Sequence, residues 1–281
     1  VYLRGYFQSD KYFLNCKRSL LEQYKIKTNN FPHLLPLAAT LSNTNTVALH
    51  IRLGDYLNPT LSGIMAPFNA DYYKKAMEQI YEMNLWGGNK SEFYSGIGSH
   101  DPKMVMPYVD VLTTFLTSFK SSLIVCDLGC GDFNIGKHLT KYSKKYIAID
   151  IVENLTKRNK NLYKDHNLEF YCLDIINDKL PSGDCIILRQ VLQHLSNKDI
   201  EKVIKKITVY KYIILTEHIP LGNFVSNKDI ISGQGIRLKQ NSGVNILDAP
   251  FNLKIKDQKQ LEEHILENNN GRILTTLFKV F

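Results

Sequence analysis

The stretch that most constrains this chain is Leu123-Ile124-Val125-Cys126-Asp127-Leu128-Gly129-Cys130-Gly131, where an apolar run gives way to two glycines one residue apart. Such a run reads as a strand buried on both faces. Glycine at its end lets the backbone pass close to a ligand at the carboxyl edge of a sheet. Gly-X-Gly alone is a weak signal, so the neighbouring residues decide what it holds. A dinucleotide-binding turn wants a third glycine at position 134, where this chain has Asn134, and it cradles a pyrophosphate on a helix N-terminus. Asp127 would add negative charge beside those phosphates. A phosphate loop is excluded, because no Gly-Lys-Ser/Thr follows. The acid suits a cationic ligand without phosphate.

From residue 101 onward the pattern is regular. Helical periodicity is expected over residues 105–119, 135–142, 153–163 and 197–207, and strands over 123–128, 146–150, 168–173, 184–189 and 212–217. After a long loop come β-like segments at 251–256 and 273–281, separated by a helical run at 258–266. Apolar strands alternating with amphipathic helices mean a parallel sheet covered on both faces. The second strand ends at Asp150, whose carboxylate can accept from both hydroxyls of a ribose. The third ends at Asp174-Ile175, an acid for an exocyclic amino group beside an apolar residue for a ring. Each acid alone is as well explained as a helix N-cap. Acids at the ends of three successive strands point to one shared ligand.

The segments DLGCG (127–131), AID (148–150), LDI (173–175) and LRQVLQHLS (188–196) follow one another in the order of the class I S-adenosylmethionine-dependent methyltransferases, which the chain resembles from Phe93 to its C-terminus. The resemblance implies an α/β fold with a Rossmann-like seven-stranded methyltransferase sheet, mostly parallel with an antiparallel last strand. It also implies S-adenosyl-L-methionine as cofactor, held by Asp127, Gly129, Gly131, Asp150, Asp174, Ile175 and Arg189. Phe133 stands at the third glycine position of the fuller DxGxGxG signature, which loosens the fit around the methionine moiety.

Methyl transfer from a sulfonium needs alignment and exclusion of water. A hydroxyl acceptor also needs a base, for which His is suited near neutral pH. His194 follows the fourth strand and His218 the fifth. His218, beside Glu217, is the favoured catalytic base, with Glu217 as its orienting partner or the two as part of a divalent-metal site; His194 is as readily a structural residue. No complete metal constellation is readable, so no metal is expected. The loop 222–250 is long enough to cover the acceptor.

Ahead of this region, the residues 5–13 (GYFQSDKYF), His50-Ile51-Arg52-Leu53-Gly54-Asp55-Tyr56 and Asp71-Tyr72-Tyr73-Lys74-Lys75-Ala76 resemble the α-1,2-fucosyltransferases of glycosyltransferase family 11 over about residues 2–84. By that resemblance Arg52 would contact the diphosphate of GDP-fucose, with His50 and Asp55 in the same nucleotide-sugar remnant. Leu53 replaces the family's second arginine, and the later donor motifs are missing, so fucosyl transfer is not expected. The resulting organisation is a smaller N-terminal α/β segment at 1–85, a linker at 86–100 and the methyltransferase domain at 101–281. The chain begins with Val1 rather than Met, as a fragment or processed form would.

The joined reading is a methyltransferase that O-methylates a sugar such as fucose in glycan or polysaccharide biosynthesis. Its rivals are a fucosyltransferase with an accessory methyltransferase domain, and a non-catalytic module that binds S-adenosylmethionine or a glycan. Lys and Arg number 35 against 27 Asp and Glu, and the net charge of +8 is spread in pairs rather than a block. That diffuse excess is a solvated surface, and without base-stacking motifs it excludes nucleic acid as a partner. Five cysteines form no CxxC pair, and Cys126, Cys172 and Cys185 read as buried thiols. No apolar stretch approaches the ~18 residues of a membrane span. A cytoplasmic protein, peripheral at a membrane surface at most, is expected.

Overall fold

A computed structural model describes residues 93–233, 235–266 and 271–281. The fucosyltransferase-like segment with His50, Arg52 and Asp55, and all of the linker before residue 93, lie outside the described residues.

The elements are α1 (Pro102–Thr117), β1 (Ile124–Leu128), β2 (Lys145–Asp150), α2 (Glu153–Leu162), β3 (Leu168–Cys172), β4 (Cys185–Arg189), α3 (Asn197–Ile207), β5 (Tyr212–Ile219), β6 (Asp257–Ile265) and β7 (Arg272–Lys279). Seven strands form one sheet in the order β3-β2-β1-β4-β5-β7-β6. Strands β1 to β5 pair in parallel, while β7 runs antiparallel to both neighbours. This is the Rossmann-like methyltransferase sheet expected from the sequence. The five parallel strands therefore end on one edge, where the polar residues after them collect.

Alternation along the strands sorts side chains onto two faces. Val125, Tyr146, Ile187 and Ile214 pack under α1 with Leu112 and Leu116. Cys126, Ile147, Ile186, Leu188, Ile213 and Leu215 pack on the other face with Ile200, Val203 and Ile207 of α3. Each such side chain contributes about 1.5–3 kcal/mol when fully buried. Two helices begin at acceptors placed for the purpose. Asp101 accepts from the Lys103 amide (2.9 Å) ahead of Pro102, and Ser196 accepts from the Asp199 amide (3.2 Å).

Four expectations fail. Residues 135–142 are two 3-10 turns, Gly136–His138 and Thr140–Tyr142, and not an α-helix. Phe133, at φ 65°, turns its ring beneath Gly136, where a Cβ would meet it at 2.3 Å, and stacks edge-on with Tyr146, Tyr163 and Phe170. The chain is drawn into the core where a helix would have to start. Residues 258–266, rich in Gln, Lys and Glu, form β6 instead of a helix, because pairing with β7 outweighs their modest helical preference. A bulge between Gln260 and Glu262 shifts the register. Residues 251–256 form no strand; they turn at Asp248–Asn252 and run out to the sheet only at Lys256, whose amide donates to Lys279 O (2.8 Å). Cys172 is exposed rather than buried, since β3 is an edge strand. Among the described residues no helix is long and apolar enough to cross a membrane.

Candidate active site

The glycine turn after β1 is held from three sides. The amides of Gly129 and Cys130 both donate to Ile149 O (2.8 and 3.0 Å), the Gly131 amide donates to Asp150 Oδ2 (3.0 Å), and Asn159 Nδ2 of α2 donates to Gly131 O (2.7 Å). Gly129 has φ 82°, and a Cβ there would lie 2.5 Å from Val191 Cγ2 of the segment after β4. Only glycine fits that conformation and that contact.

Asp150 is buried at the end of β2, with its other oxygen accepting from the Val152 amide (3.0 Å). Burial raises its pKa, opposed by the amides of Val152 and Gly131. The Ile151 amide also acts on the carboxylate, and the lone-pair capacity that remains can accept from a ligand. Leu173 at the end of β3 donates its amide to Asp150 O, which brings Asp174 and Ile175 to the same edge. The Asp174 carboxylate, however, caps its own turn: Oδ1 accepts from the Ile176 amide (2.8 Å) and Oδ2 from Asn177 Nδ2 (2.7 Å). Ile175 packs against the core, and its carbonyl accepts from Lys206 Nζ (2.9 Å). Asp127 sits inside the α1 face, where Tyr146 Oη donates to its Oδ2 (2.9 Å). Burial pushes its pKa up to about 7, with the Tyr146 hydrogen bond opposing.

Arg189 reaches back from β4 to residues 93–100. Its NH2 donates to Gly98 O (2.6 Å), its NH1 to Ser99 Oγ (3.4 Å) and Gln190 Oε1 (3.1 Å), and its guanidinium lies over the Tyr108 ring at 5.0 Å. Those residues, taken from sequence as linker, form a strap across the ends of β1 and β4. Asp132, just past the glycine turn, accepts from the Ser95 amide (3.2 Å), lies 2.5 Å from His100 Nε2, and donates its own amide to Ser95 Oγ (2.9 Å). Asn134 Nδ2 donates to Ser99 O (2.7 Å), and Tyr94 stacks on His100. Ser95, His100 and Asp132 were missed by sequence reasoning. Their signal was a polar Tyr-Ser-Gly-Ile-Gly-Ser-His run placed directly before a capped helix.

At the other half of the edge, Gln193 joins the two histidines. Its Oε1 accepts from the His218 amide (3.0 Å), so the far end of the same amide group is Nε2, which can only donate to His194 Nε2 (3.2 Å). That contact assigns His194 a lone pair on Nε2 and a proton on Nδ1. Glu217 and His218 do not form the expected base-and-orienter pair. As successive strand residues they face opposite sides of the sheet. Glu217 is buried with Leu215 and Ile219 on the α3 face, and its Oε1 accepts from the Leu192 amide (3.2 Å). Burial pushes its pKa up to about 8, opposed by the Leu192 and Gln193 amides and by the Arg237 guanidinium.

Arg237, from the loop between β5 and β6, is 1% exposed and went unnoticed in the sequence. Its Nε donates to Lys228 O (2.9 Å), NH1 reaches Leu192 O and Gln193 O (3.4 and 3.3 Å), and NH2 donates to Leu195 O (2.7 Å) and Asn197 Oδ1 (2.8 Å). The five N–H groups of the guanidinium are thus all used, and the loop is pinned to the segment between β4 and α3.

Residues 125–210 match the family model described as Methyltransferase domain. With the sheet order, that match identifies an S-adenosylmethionine-dependent methyltransferase domain of the class I fold. The chain is similar to the N-methyltransferase NodS of Bradyrhizobium japonicum, solved with S-adenosylhomocysteine, at 11% identity and a TM-score of 0.51, covering 74% of this chain and 98% of that one. It is also similar to a SAM-dependent methyltransferase of Leishmania major, at 14% identity and a TM-score of 0.55, covering 78% and 89%. These likenesses establish the fold. None of the curated proteins matches the chain. The comparisons give no support to the fucosyltransferase resemblance of residues 2–84.

Proposed function

We propose that this domain transfers the methyl group of S-adenosylmethionine to a hydroxyl of a small acceptor, with His218 as the general base. The observation that carries the donor half is Asp150, whose carboxylate joins the glycine turn to the end of β2 while keeping lone-pair capacity for the ribose. Gly129 and Gly131 admit the methionine moiety, Asp174 and Ile175 border the adenine, and Arg189 acts by holding the strap over the donor. Asp127 supports the turn from beneath through its hydrogen bond with Tyr146 and not by direct contact.

The acceptor half rests on the link through Gln193. His194 Nε2 is engaged by an amide N–H, so His194 is the structural member of the pair. His218, at the carboxyl end of β5, is the residue placed to take the acceptor's proton as the methyl group moves in line. A sugar hydroxyl, such as one of fucose, is the acceptor to which the resemblance of residues 2–84 points, and GDP-fucose would be the partner of that segment.

Two measurements test this. Calorimetry with S-adenosylmethionine and S-adenosylhomocysteine should show one site, and NAD and GDP-fucose should not compete for it. Radiolabelled methyl transfer to fucosylated acceptors, set against matched amines, should favour the hydroxyl compounds. Binding without transfer to any of them would leave a binding module, and preference for amines would remove the base.

A further inference from the structure

Behind the segment that carries Val191 and Leu192, the α3 face of the sheet holds a cavity of about 270 Å³. Its floor is Leu215, Glu217 and Ile219 of β5 with Arg272, Leu274, Thr276 and Phe278 of β7. Its roof is Phe224 and residues 244–247 of the loop between β5 and β6. Apolar side chains share the walls with polar ones, Asn245, Gln258 and Thr276 among them, and two buried polar atoms have no hydrogen-bond partner: Glu217 Oε2 and Arg272 Nε. Glu217 is 3% exposed, so whatever satisfies its second oxygen must reach it through the cavity. Leaving a buried polar atom unsatisfied costs about 1–3 kcal/mol. The two residues stand diagonally on one sheet face, since Glu217 is in register with Leu274 and Arg272 with Ile219.

The charges around the cavity choose the ligand. Arg272 NH1 pairs with Glu263 Oε1 of β6 (2.6 Å), which leaves its Nε–H as a donor. Arg237 lends positive potential from the loop side, and burial favours the neutral form of Glu217. A neutral carboxyl donates through its hydroxyl, so both orphan atoms are donors on a positive floor. The group that satisfies both at once is an anion with two acceptor oxygens.

We propose that this cavity binds a small monocarboxylate with an apolar body, its carboxylate held between the Glu217 carboxyl and the Arg272 guanidinium. This goes beyond methyl transfer and does not depend on which acceptor the domain uses.

The test is a titration of the full chain with octanoate, and with octan-1-ol as the uncharged match, read by calorimetry and by the methyl resonances of Val244, Ile246 and Leu274. Octanoate should bind about tenfold or more tightly than octan-1-ol, and Arg272→Met should lose about tenfold. Glu217→Gln should stay within about threefold of the parent, because its amide N–H donates where the carboxyl did, whereas Glu217→Leu should match the loss of Arg272→Met. Thr276→Phe, which fills the cavity from its floor, should abolish binding and serves if Arg272→Met does not fold. Equal binding of acid and alcohol would overturn the proposal. So would unchanged affinity in Arg272→Met or Thr276→Phe, resonance shifts confined to Val191 beside the glycine turn, or no octanoate binding up to about 10 mM.

Discussion

The half of the sheet that ends in β1, β2 and β3 and the half that ends in β4, β5 and β7 solve the same problem in different ways. In the first, the backbone makes the site: the glycine turn, the Ile149 carbonyl and the amides around Asp150 lie within a few residues of one another in sequence or on adjacent strands. In the second, side chains from distant segments do it: Gln193 bridges His194 to His218, and Arg237 crosses from the loop to residues 192–197. A backbone site tolerates little change of conformation, and a side-chain site tolerates little change of identity.

The sharpest separation of the halves comes from the histidines. His218→Ala should lower turnover by about two to four orders of magnitude with donor affinity near normal, whereas His194→Ala should stay within about tenfold of the parent. Steady-state kinetics with a hydroxyl acceptor, on variants shown to be folded by circular dichroism, decides it. The reverse ranking would put the base on His194.

Next is Arg237→Met, which strips five donors from buried acceptors and removes the positive neighbour of Glu217. Thermal or urea unfolding should report a loss of about 3–5 kcal/mol, while S-adenosylmethionine affinity of the folded fraction changes less than about threefold. A stability loss below about 1 kcal/mol would mean that the clasp is dispensable. Asp150→Ala should do the opposite. Loss of a bidentate, charge-assisted acceptor costs about 1.5–3 kcal/mol of donor binding, readable by calorimetry. Unchanged affinity would remove the ribose from β2.

A further effect concerns pH. Glu217 is pushed up to about 8 in the fold, against an ordinary value of 4.5, so the folded state holds its proton more tightly than the unfolded chain. Stability from this group is full below about pH 4.5 and is lost as pH rises towards 8. Glu217→Gln removes that dependence. The melting temperatures of parent and variant should therefore diverge between pH 5 and 8, with the variant gaining. A constant gap would show that Glu217 titrates normally.

The same contrast explains what was legible in the sequence. Strands β1 to β5 were readable because each is a short apolar run bounded by polar turns, and the acids expected from the sequence lie in or just after them. The 3-10 turns at 136–142 were not, since Phe133 decides them through rings contributed by Tyr146, Tyr163 and Phe170. Strand β6 was not, since its partner is β7 and its own composition is that of a helix. Asp174 was legible as an acid at a strand end, yet local sequence could not say that both its oxygens would turn back on residues 176 and 177. The opposed faces of Glu217 and His218 were implicit in the strand itself, because neighbours in an extended chain cannot both look into one site. Arg237 gave no signal at all: a lone arginine in a polar loop is ordinarily solvated, and only the carbonyls at 192–195 reveal otherwise.

The clasp of Arg237 also bears on timing. A loop that covers a substrate is usually imagined to swing, and its opening then sets the pace of catalysis. Here a swing would tear the four hydrogen bonds from Arg237 to Leu192, Gln193, Leu195 and Asn197 at once, a penalty on the scale of local unfolding. Residues 227–233 and 235–242 are therefore fixed masonry and not a door. The acceptor has to enter past some other margin of the site, and slow product release, where it occurs, belongs to that margin.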